Sequence, residues 1–313
     1  MRLEGIHHVT AITGDAPRNV DFYTRVLGLR MAAKSVNQDD PTVYHLFYSD
    51  ELGRAGSDIT FFEYPGAARG RAGDGMVHTV VWRVGSPEAL DFWEGRLRDE
   101  GVPISREGGS LRFEDFEGLG HELVVDGSGD EPLSAEHPEV PAEHALRGFD
   151  SVRAYSAAPE RSRTLLEDVM GASPAGDGGW ELRGERRGGT IRYEDPPPEP
   201  GQPGAGTVHH VAWGTTVAEH PRWRERLVEA GVRATPIIDR HYFHSIYFRE
   251  PGGVLFEIAD DGPGFTVDVP LEELGSKVIL PPFLESRREE IEARLTPLPD
   301  PRADRQEVRS GKS

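Results

Sequence analysis

The chain of 313 residues contains no cysteine, so it can form neither disulfides nor thiolate metal sites. Any metal ion must be bound by histidine, aspartate, glutamate or backbone oxygen, which argues against a structural zinc ribbon and favours harder or borderline metals. No apolar run approaches the length of a membrane span, and the N-terminus lacks the apolar segment and cleavage site of a signal peptide. We therefore expect a cytoplasmic protein without a membrane partner.

Positive charge is also scarce, because 35 Lys and Arg stand against 54 Asp and Glu and give a net charge of −19. Such a surface repels phosphate backbones, so we predict no nucleic-acid partner. A hydrophobic fraction of 36% suits a globular protein. The length is enough for one large domain or several small ones, each with its own core.

One pattern occurs four times along the chain: a strand, an amphipathic helix and then further strands, with a period of about 60–80 residues. The opening strands of the four modules are predicted at 5–12, 76–84, 149–154 and 207–213. Each predicted helix is followed by a glycine, which is typical of a helix end: Gly28, Gly101, Gly171 and Gly231. The remaining strands are predicted at 29–36, 43–48, 58–64, 121–125, 180–182, 189–193, 234–238, 244–249 and 253–259.

The Gly- and Pro-rich stretches 127–141 and 195–206 are predicted to be exposed connections. We predict an N-terminal domain at 1–135 and a C-terminal domain at 145–265, each of two modules. A tail at 266–313 follows, with a short helix at 284–295 and a frayed end at 303–313. A strand–helix–three-strand unit has an incomplete sheet, so pairing two units closes a curved sheet around a cavity. The expected fold class is α+β, with four βαβββ modules forming two paired, curved open-barrel sheets.

The tripeptide His-His-Val occurs at residues 7–9 and again at 209–211, and a lone carboxylate, Glu257, lies in the last predicted strand. His8 and His210 occupy the same position in two copies of one module. Because side chains alternate across a strand, both histidines then lie on the same face of their strands. Glu257 points away from the apolar face of its strand and its charge needs a partner. Two imidazoles and one carboxylate are the ligand set of a facial non-haem Fe(II) site.

Modules two and three have Thr79 and Ser151 where the other modules have His8 and His210, so they cannot build the same site. A single strand histidine or glutamate is usually only hydrogen-bonded or solvated, and the joint pattern is what favours a metal. The two ligand-bearing modules are the outermost in sequence and must meet in space. We therefore predict that module one pairs with module four, and module two with module three.

Residues 6–10, 19–23, 36–46 and 239–257 resemble the vicinal oxygen chelate superfamily, which includes glyoxalases, bleomycin resistance proteins and dioxygenases. More narrowly, they resemble ring-cleaving dioxygenases related to hydroquinone 1,2-dioxygenase, and the resemblance extends to about residue 295. It implies the vicinal oxygen chelate fold and an Fe(II) cofactor, with Mn(II) as the other metal that the ligands allow. It also implies O₂-dependent, extradiol-type opening of a hydroquinone or catechol-like ring.

The resemblance implies that the metal ligands are His8, His210 and Glu257. It assigns surrounding positions, each with the matching residue type here, to His7, Thr10, His209, Arg240 and Tyr247. In regular strands His7 and His209 would point away from the site, unless a bulge re-aims them. Further candidates for a proton-transfer role are His45, His241 and His244.

Two other functions stay open at this point. A glyoxalase-type isomerase or lyase would want a fourth protein ligand, commonly a second glutamate, and the corresponding position in module one is predicted near Phe62 or Glu63. A metal-free small-molecule-binding or resistance protein would not need the three metal-type ligands. The expected partners are a small aromatic substrate and O₂, and a homo-oligomer is compatible with the sequence.

Overall fold

The computed structural model describes residues 1–176, 178–298 and 300–302. The strands of the first and second modules are β1 (Ile6–Thr13), β2 (Arg30–Val36), β3 (Tyr44–Ser49), β4 (Asp58–Glu63), β5 (Val77–Val84), β6 (Ile104–Glu107), β7 (Ser110–Glu114) and β8 (Gly120–Val125). Those of the third and fourth modules are β9 (Phe149–Tyr155), β10 (Ser173–Pro174), β11 (Gly179–Arg183), β12 (Gly188–Glu194), β13 (Val208–Thr215), β14 (Ile238–Asp239), β15 (His244–Arg249) and β16 (Leu255–Asp260). The α-helices in this part of the chain are α1 (Ala16–Val20), α2 (Pro87–Asp99), α3 (His220–Glu229) and α4 (Arg288–Glu292).

The strands form two eight-stranded sheets that are built alike. The first and fourth modules form the sheet β14-β15-β16-β13-β1-β4-β3-β2, and the second and third form β10-β11-β12-β9-β5-β8-β7-β6. The central pairs, β1 with β13 and β5 with β9, are antiparallel. The predicted α+β class, with βαβββ modules in two curved sheets, is confirmed. Each sheet takes strands from both sides of the predicted domain boundary at 135–145, and the boundary itself stays a prediction.

Both central strand pairs carry two β-bulges at equivalent positions. In the first sheet, Ile6 pairs with Trp213 while His8 pairs with Ala212, so His7 is the extra residue. The second bulge of this pair leaves His209 as the extra residue, and in the other sheet the extra residues are His78 and Asp150. A bulge turns the side chain of its extra residue out of the regular alternation. The bulges therefore allow the side chains of His7 and His209 to face the site, as a regular strand would not.

A contiguous set of buried apolar side chains lies behind both sheets and joins them. It includes Val9, Val211 and Trp213 from the first sheet, and Trp82 and Phe149 from the second, all at most 1% exposed. The apolar side chains next to Glu257 in the chain also belong to this core: Val254, Phe256 and Ile258. The predicted apolar face of the last strand is confirmed, and Glu257 is left on the concave face.

Two of the four predicted helices are not regular α-helices. The helix predicted before Gly28 is α1 followed by a π-helix at Asp21–Val26, with a hydrogen bond of 2.9 Å from the Leu27 amide to the Phe22 carbonyl. In the third module a 3₁₀ turn at Pro159–Ser162 precedes a π-helix at Leu165–Val169. Apolar spacing reveals which residues are buried but not which hydrogen-bond register the backbone adopts.

Some predicted element boundaries were wrong or incomplete. The short strands β6, β7 and β10 were not predicted, because β6 is largely exposed and charged and β10 has two residues. The strand predicted at 234–238 is reduced to β14, since Pro236 lacks the amide hydrogen that a ladder needs. The helix predicted at 284–295 is a 3₁₀ segment at Pro282–Arg287 followed by α4. The predicted frayed end at 303–313 lies outside the described residues.

Candidate metal centre

Three side chains from three strands converge on the concave face of the first sheet: His8 of β1, His210 of β13 and Glu257 of β16. The Nε2 atoms of the two histidines are 3.2 Å apart. Oε2 of Glu257 lies 3.2 Å from Nε2 of His8 and 3.0 Å from Nε2 of His210. Ligand atoms about 2.1 Å from one metal and at right angles to each other are about 3.0 Å apart. The three atoms therefore fit one face of an octahedral ion.

The carboxylate of this group is fully buried. Glu257 is 0% exposed, and apart from the two imidazole nitrogens no described group lies within hydrogen-bonding distance of its oxygens. Burial alone would raise the pKa of Glu257, but His8 and His210 outweigh it and hold its pKa well below the usual range. Burial lowers the pKa of His210, which keeps that imidazole neutral. A buried carboxylate whose described partners are two imidazole nitrogens is stabilised best by a bound cation.

The residue before each histidine of the triad contacts Nδ1 of that histidine. Nε2 of His7 lies 3.0 Å from the backbone oxygen of Asp260, which only accepts, so this nitrogen carries the hydrogen. Burial, reinforced by His8, lowers the pKa of His7 to about 3, so the ring is neutral and its Nδ1 accepts. The donor is Nδ1–H of His8 at 2.9 Å. In the tautomer with hydrogen on Nδ1 alone, Nε2 of His8 has a lone pair that can bind a metal.

The second copy repeats this contact. Nδ1 of His209 lies 2.8 Å from Nδ1 of His210, and both residues lie on β13 at the bulge that mirrors the one at His7. The ring of Tyr247 is 5.6 Å from that of His210. Because burial and then Glu257 raise the pKa of Tyr247, its hydroxyl stays protonated and can donate.

Arg240 and Thr10 complete the set of predicted surrounding residues. The guanidinium carbon of Arg240 is 5.4 Å from the Tyr247 ring, and its nitrogen pairs with Asp39 at 3.2 Å. Thr10 is 0% exposed and its hydroxyl lies 2.8 Å from that of Thr60. The structure thus brings all five predicted residues around the triad, while their roles stay predictions.

The three candidate proton-transfer histidines differ sharply in their contacts. Nε2 of His241 bonds Asp268 at 2.7 Å, and Nδ1 of His244 bonds Asp260 at 2.9 Å. Among the described residues, neither ring is hydrogen-bonded directly to His8, His210 or Glu257, but the backbone oxygen of Asp260 also bonds His7. Nε2 of His45 lies 2.9 Å from the Thr60 hydroxyl, which itself contacts Thr10. His244 therefore connects to His7, and His45 to Thr10, each through one intermediate residue.

Sequence reasoning missed Phe243, whose ring is 5.0 Å from that of His8 and 5.2 Å from that of His7. It belongs to a small apolar cluster on the concave side that also contains Phe47, Tyr242 and Phe265. Phe243 lies in the connection between β14 and β15, two residues after His241, whose backbone is left-handed at φ 74°. No periodicity in so short a segment could have indicated which way its side chains point.

The predicted counterpart of Glu257 in module one was wrong. In the fourth module β13 and β16 pair Ala212, two residues after His210, with Glu257. In the first module β1 and β4 pair Thr10, two residues after His8, with Thr60. Thr60, not Phe62 or Glu63, therefore stands where a fourth ligand would be.

Glu63 has a different partner. Its Oε1 accepts from the Ala16 amide at 3.1 Å, at the start of α1. Within the described part of the chain, the group of metal-type side chains contains His8, His210 and Glu257 and no fourth member. The register of parallel strands, which sets this correspondence, is not readable from one sequence.

The second sheet shows what replaces the metal group there. Glu122 pairs with Val81 as Glu257 pairs with Ala212, and Thr79 and Ser151 occupy the histidine positions. Nε of Arg153 lies 2.7 Å from Oε2 of Glu122, so a guanidinium neutralises this buried carboxylate. The equivalent position in the second sheet therefore needs no ion.

A sequence profile of the Glyoxalase/Bleomycin resistance protein/Dioxygenase superfamily matches residues 5–119 and 148–258. The chain belongs to this superfamily. Among the solved structures it resembles, glyoxalase I from Zea mays superposes with a TM-score of 0.55 at 16% identity, covering 82% of this chain and 92% of that one, and shows the shared fold alone.

More similar relatives carry the names of ring-cleaving dioxygenases, so the predicted resemblance is confirmed. MhqA of Bacillus subtilis, provisionally described as a ring-cleaving dioxygenase, is 39% identical over 317 residues, covering 95% of this chain and 100% of the relative. Chlorohydroquinone/hydroquinone 1,2-dioxygenase of Sphingobium indicum is 34% identical over 310 residues, covering 93% and 95%. A crystal structure of a Bacillus subtilis protein, provisionally described as a dioxygenase, has a TM-score of 0.89 at 39% identity and covers 95% and 98%.

Proposed function

We propose that this protein is an Fe(II)-dependent dioxygenase that opens a hydroquinone- or catechol-like ring by extradiol-type cleavage and inserts both atoms of O₂. The observation that carries the proposal is the convergence of two imidazole nitrogens and one carboxylate oxygen of a fully buried glutamate within 3.2 Å of one another. The names of the relatives support a ring-cleaving enzyme, and one of them names chlorohydroquinone and hydroquinone as substrates.

The donor set determines what a bound metal could do. Fe(II) held by these three side chains would bind a substrate oxygen and O₂ and would supply electrons that overcome the spin barrier of O₂. Mn(II) accepts the same ligands, and the residues do not separate the two metals. His8, His210 and Glu257 would hold the ion, while His7 and His209 keep the two imidazoles in the tautomer that binds it.

The remaining residues bind and orient the ring. The protonated hydroxyl of Tyr247 donates a hydrogen bond to substrate or oxygen-derived groups, and the positive charge of Arg240 stabilises negative charge that develops there. The rings of Phe47 and Phe62, 3.9 Å and 4.4 Å from that of His45, give the concave face an aromatic wall. Such a wall excludes water and packs against a planar substrate.

Two observations favour this proposal over the alternatives. A glyoxalase-type reaction would call for a fourth anionic ligand, and Thr60 stands at that position. A metal-free binding protein would leave the buried Glu257 carboxylate without a cation. No helix in the described residues has the length and apolar character needed to cross a membrane. A cytoplasmic role in the breakdown of aromatic compounds stays a prediction.

The test is anaerobic loading with Fe(II) or Mn(II), followed by metal analysis and oxygen uptake with a panel of hydroquinones and catechols. Wild type should bind about one ion per chain and consume O₂ with at least one member of the panel. Glu257→Gln should lose both, because the amide cannot replace the anionic ligand. Glu122→Gln, at the equivalent position of the other sheet, is the matched control and should retain both. Oxygen uptake by Glu257→Gln at the wild-type rate would contradict the proposal.

A further inference from the structure

Three side chains form a continuous hydrogen-bonded chain on the concave face of the first sheet. The hydroxyl of Thr10 lies 2.8 Å from that of Thr60, which lies 2.9 Å from Nε2 of His45. Both threonines are 0% exposed, whereas His45 is partly exposed. A threonine hydroxyl donates one hydrogen bond and accepts others, so a proton can pass along all three groups.

Thr10, at the inner end of this hydrogen-bonded series, lies on the strand of His8 and on the face of the metal-ligand triad. Thr10 is two residues after His8 on the same strand and face. Thr60 occupies the register position in module one that Glu257 occupies in module four, so it faces the same centre from the opposite side of the pseudo-symmetric pair. A group that cannot ligate as an anion stands at this position, and its hydroxyl is engaged with Thr10 and His45 instead.

The outer end is an imidazole held in a fixed plane. The ring of His45 lies 3.9 Å from that of Phe47 and 4.4 Å from that of Phe62. Burial holds the pKa of His45 well below its usual range, so the ring is neutral. No group of the described residues hydrogen-bonds its Nδ1, which is the nitrogen left for exchange with water.

We propose that Thr10, Thr60 and His45 are the proton relay of this site. This relay rests on the proposed function and adds the route by which the proton of the substrate hydroxyl leaves the site and returns to it. As the phenol binds, its O–H bond breaks, each threonine hydroxyl passes on one proton, and Nε2 of His45 gains one while Nδ1 releases one to water. When the ring opens, the same transfers run in reverse and the product regains its proton.

This cycle consumes no net proton, because ring cleavage combines the substrate with O₂ and no other reactant. The reverse transfer also restores the starting tautomer of His45, with hydrogen on Nδ1. The imidazole therefore does not need to rotate between the rings of Phe47 and Phe62, and a ring held in one orientation can still transfer the proton in both directions. The three groups act through the substrate hydroxyl and not as metal ligands.

The first test compares Thr60→Val with Thr60→Ser in the iron-loaded enzyme. Valine preserves the shape and removes the hydroxyl, so kcat should fall at least about tenfold while bound iron and KM stay within about twofold. Serine keeps the hydroxyl and should restore kcat to within about threefold. Thr215→Val is the control, since Thr215 is buried in the same sheet and its hydroxyl has no partner among the described residues. Wild-type kcat in Thr60→Val would overturn the relay, and so would loss of iron in that variant.

The second test uses ¹⁵N NMR of the His45 ring in metal-free protein and needs neither substrate nor iron. Wild type and Thr60→Ser should show a single tautomer with hydrogen on Nδ1, because Nε2 accepts from residue 60. Thr60→Val should show a mixture of tautomers, and an unchanged spectrum would overturn the relay. If wild type consumes no O₂ with any dihydroxybenzene, the proposed function fails, while this spectrum still reports on the relay.

Discussion

Each ligand histidine is preceded by a second histidine, and their contacts explain why the pair occurs twice. The extra residue of a β-bulge, His7 or His209, is turned so that its Nδ1 meets Nδ1 of the ligand beside it. Without the bulge, the alternation of side chains would place the two rings on opposite faces. The doubled histidine therefore supplies one member of the triad and one residue that contacts its Nδ1.

Replacing His7 with phenylalanine should therefore weaken metal binding without removing a ligand. The variant keeps an aromatic ring and loses the acceptor for Nδ1–H of His8, so the affinity for Fe(II) should fall about 10- to 100-fold. Competition with a chromogenic chelator measures this affinity under anaerobic conditions. His78→Phe, at the equivalent bulge of the second sheet, should bind iron as wild type does. Equal affinities for the two variants would show that His7 does not orient His8.

At the scale of elements, hydrophobic patterning predicted what the strands bury but not how they are aligned. The alternation in the last strand correctly placed Phe256 and Ile258 in the core and Glu257 on the opposite face. The same reasoning could not reveal the bulge at His7, because a bulge depends on the partner strand and leaves no pattern in its own sequence. It also misplaced the counterpart of Glu257, which the parallel register assigns to Thr60.

The helices show the same limit. Apolar spacing located the helical segments, yet those of the first and third modules contain π-helical turns. The convergence of His8, His210 and Glu257 could be predicted because residue type and repeat position were both visible in the sequence. Phe243 and the contact of His45 with Thr60 depend on tertiary packing, so no local signal could have indicated them.

At the scale of the whole molecule, the first and fourth modules share one sheet, although the second and third modules lie between them in the sequence. β1 and β13 lie side by side, which brings His8 within 3.2 Å of His210 across about two hundred residues. A buried hydrogen-bond network also ties the first module to the second. His121 accepts at Nδ1 from the Trp82 indole at 3.1 Å, and its Nε2 lies 3.0 Å from the Tyr23 hydroxyl.

This network predicts a loss of stability in acid. Burial lowers the pKa of His121 from 6.5 to about 3, so the folded protein keeps this ring neutral while the unfolded chain protonates it. The free energy of unfolding therefore decreases as the pH falls from about 6.5 towards about 3. At pH 5 the loss caused by His121 is about 2 kcal/mol. Denaturant unfolding at pH 7 and pH 5 should show that wild type loses about 2 kcal/mol more than His121→Gln. The same loss in both proteins would contradict the assignment to His121.

Anomalous diffraction at the iron absorption edge, measured on crystals of the iron-loaded protein, tests the three-ligand site most directly. We expect one peak per chain, about 2.1 Å from Nε2 of His8, Nε2 of His210 and a carboxylate oxygen of Glu257. No peak is expected beside Glu122 in the second sheet. A peak at any other place, or none in protein shown to contain iron, would show that these three side chains do not bind the metal.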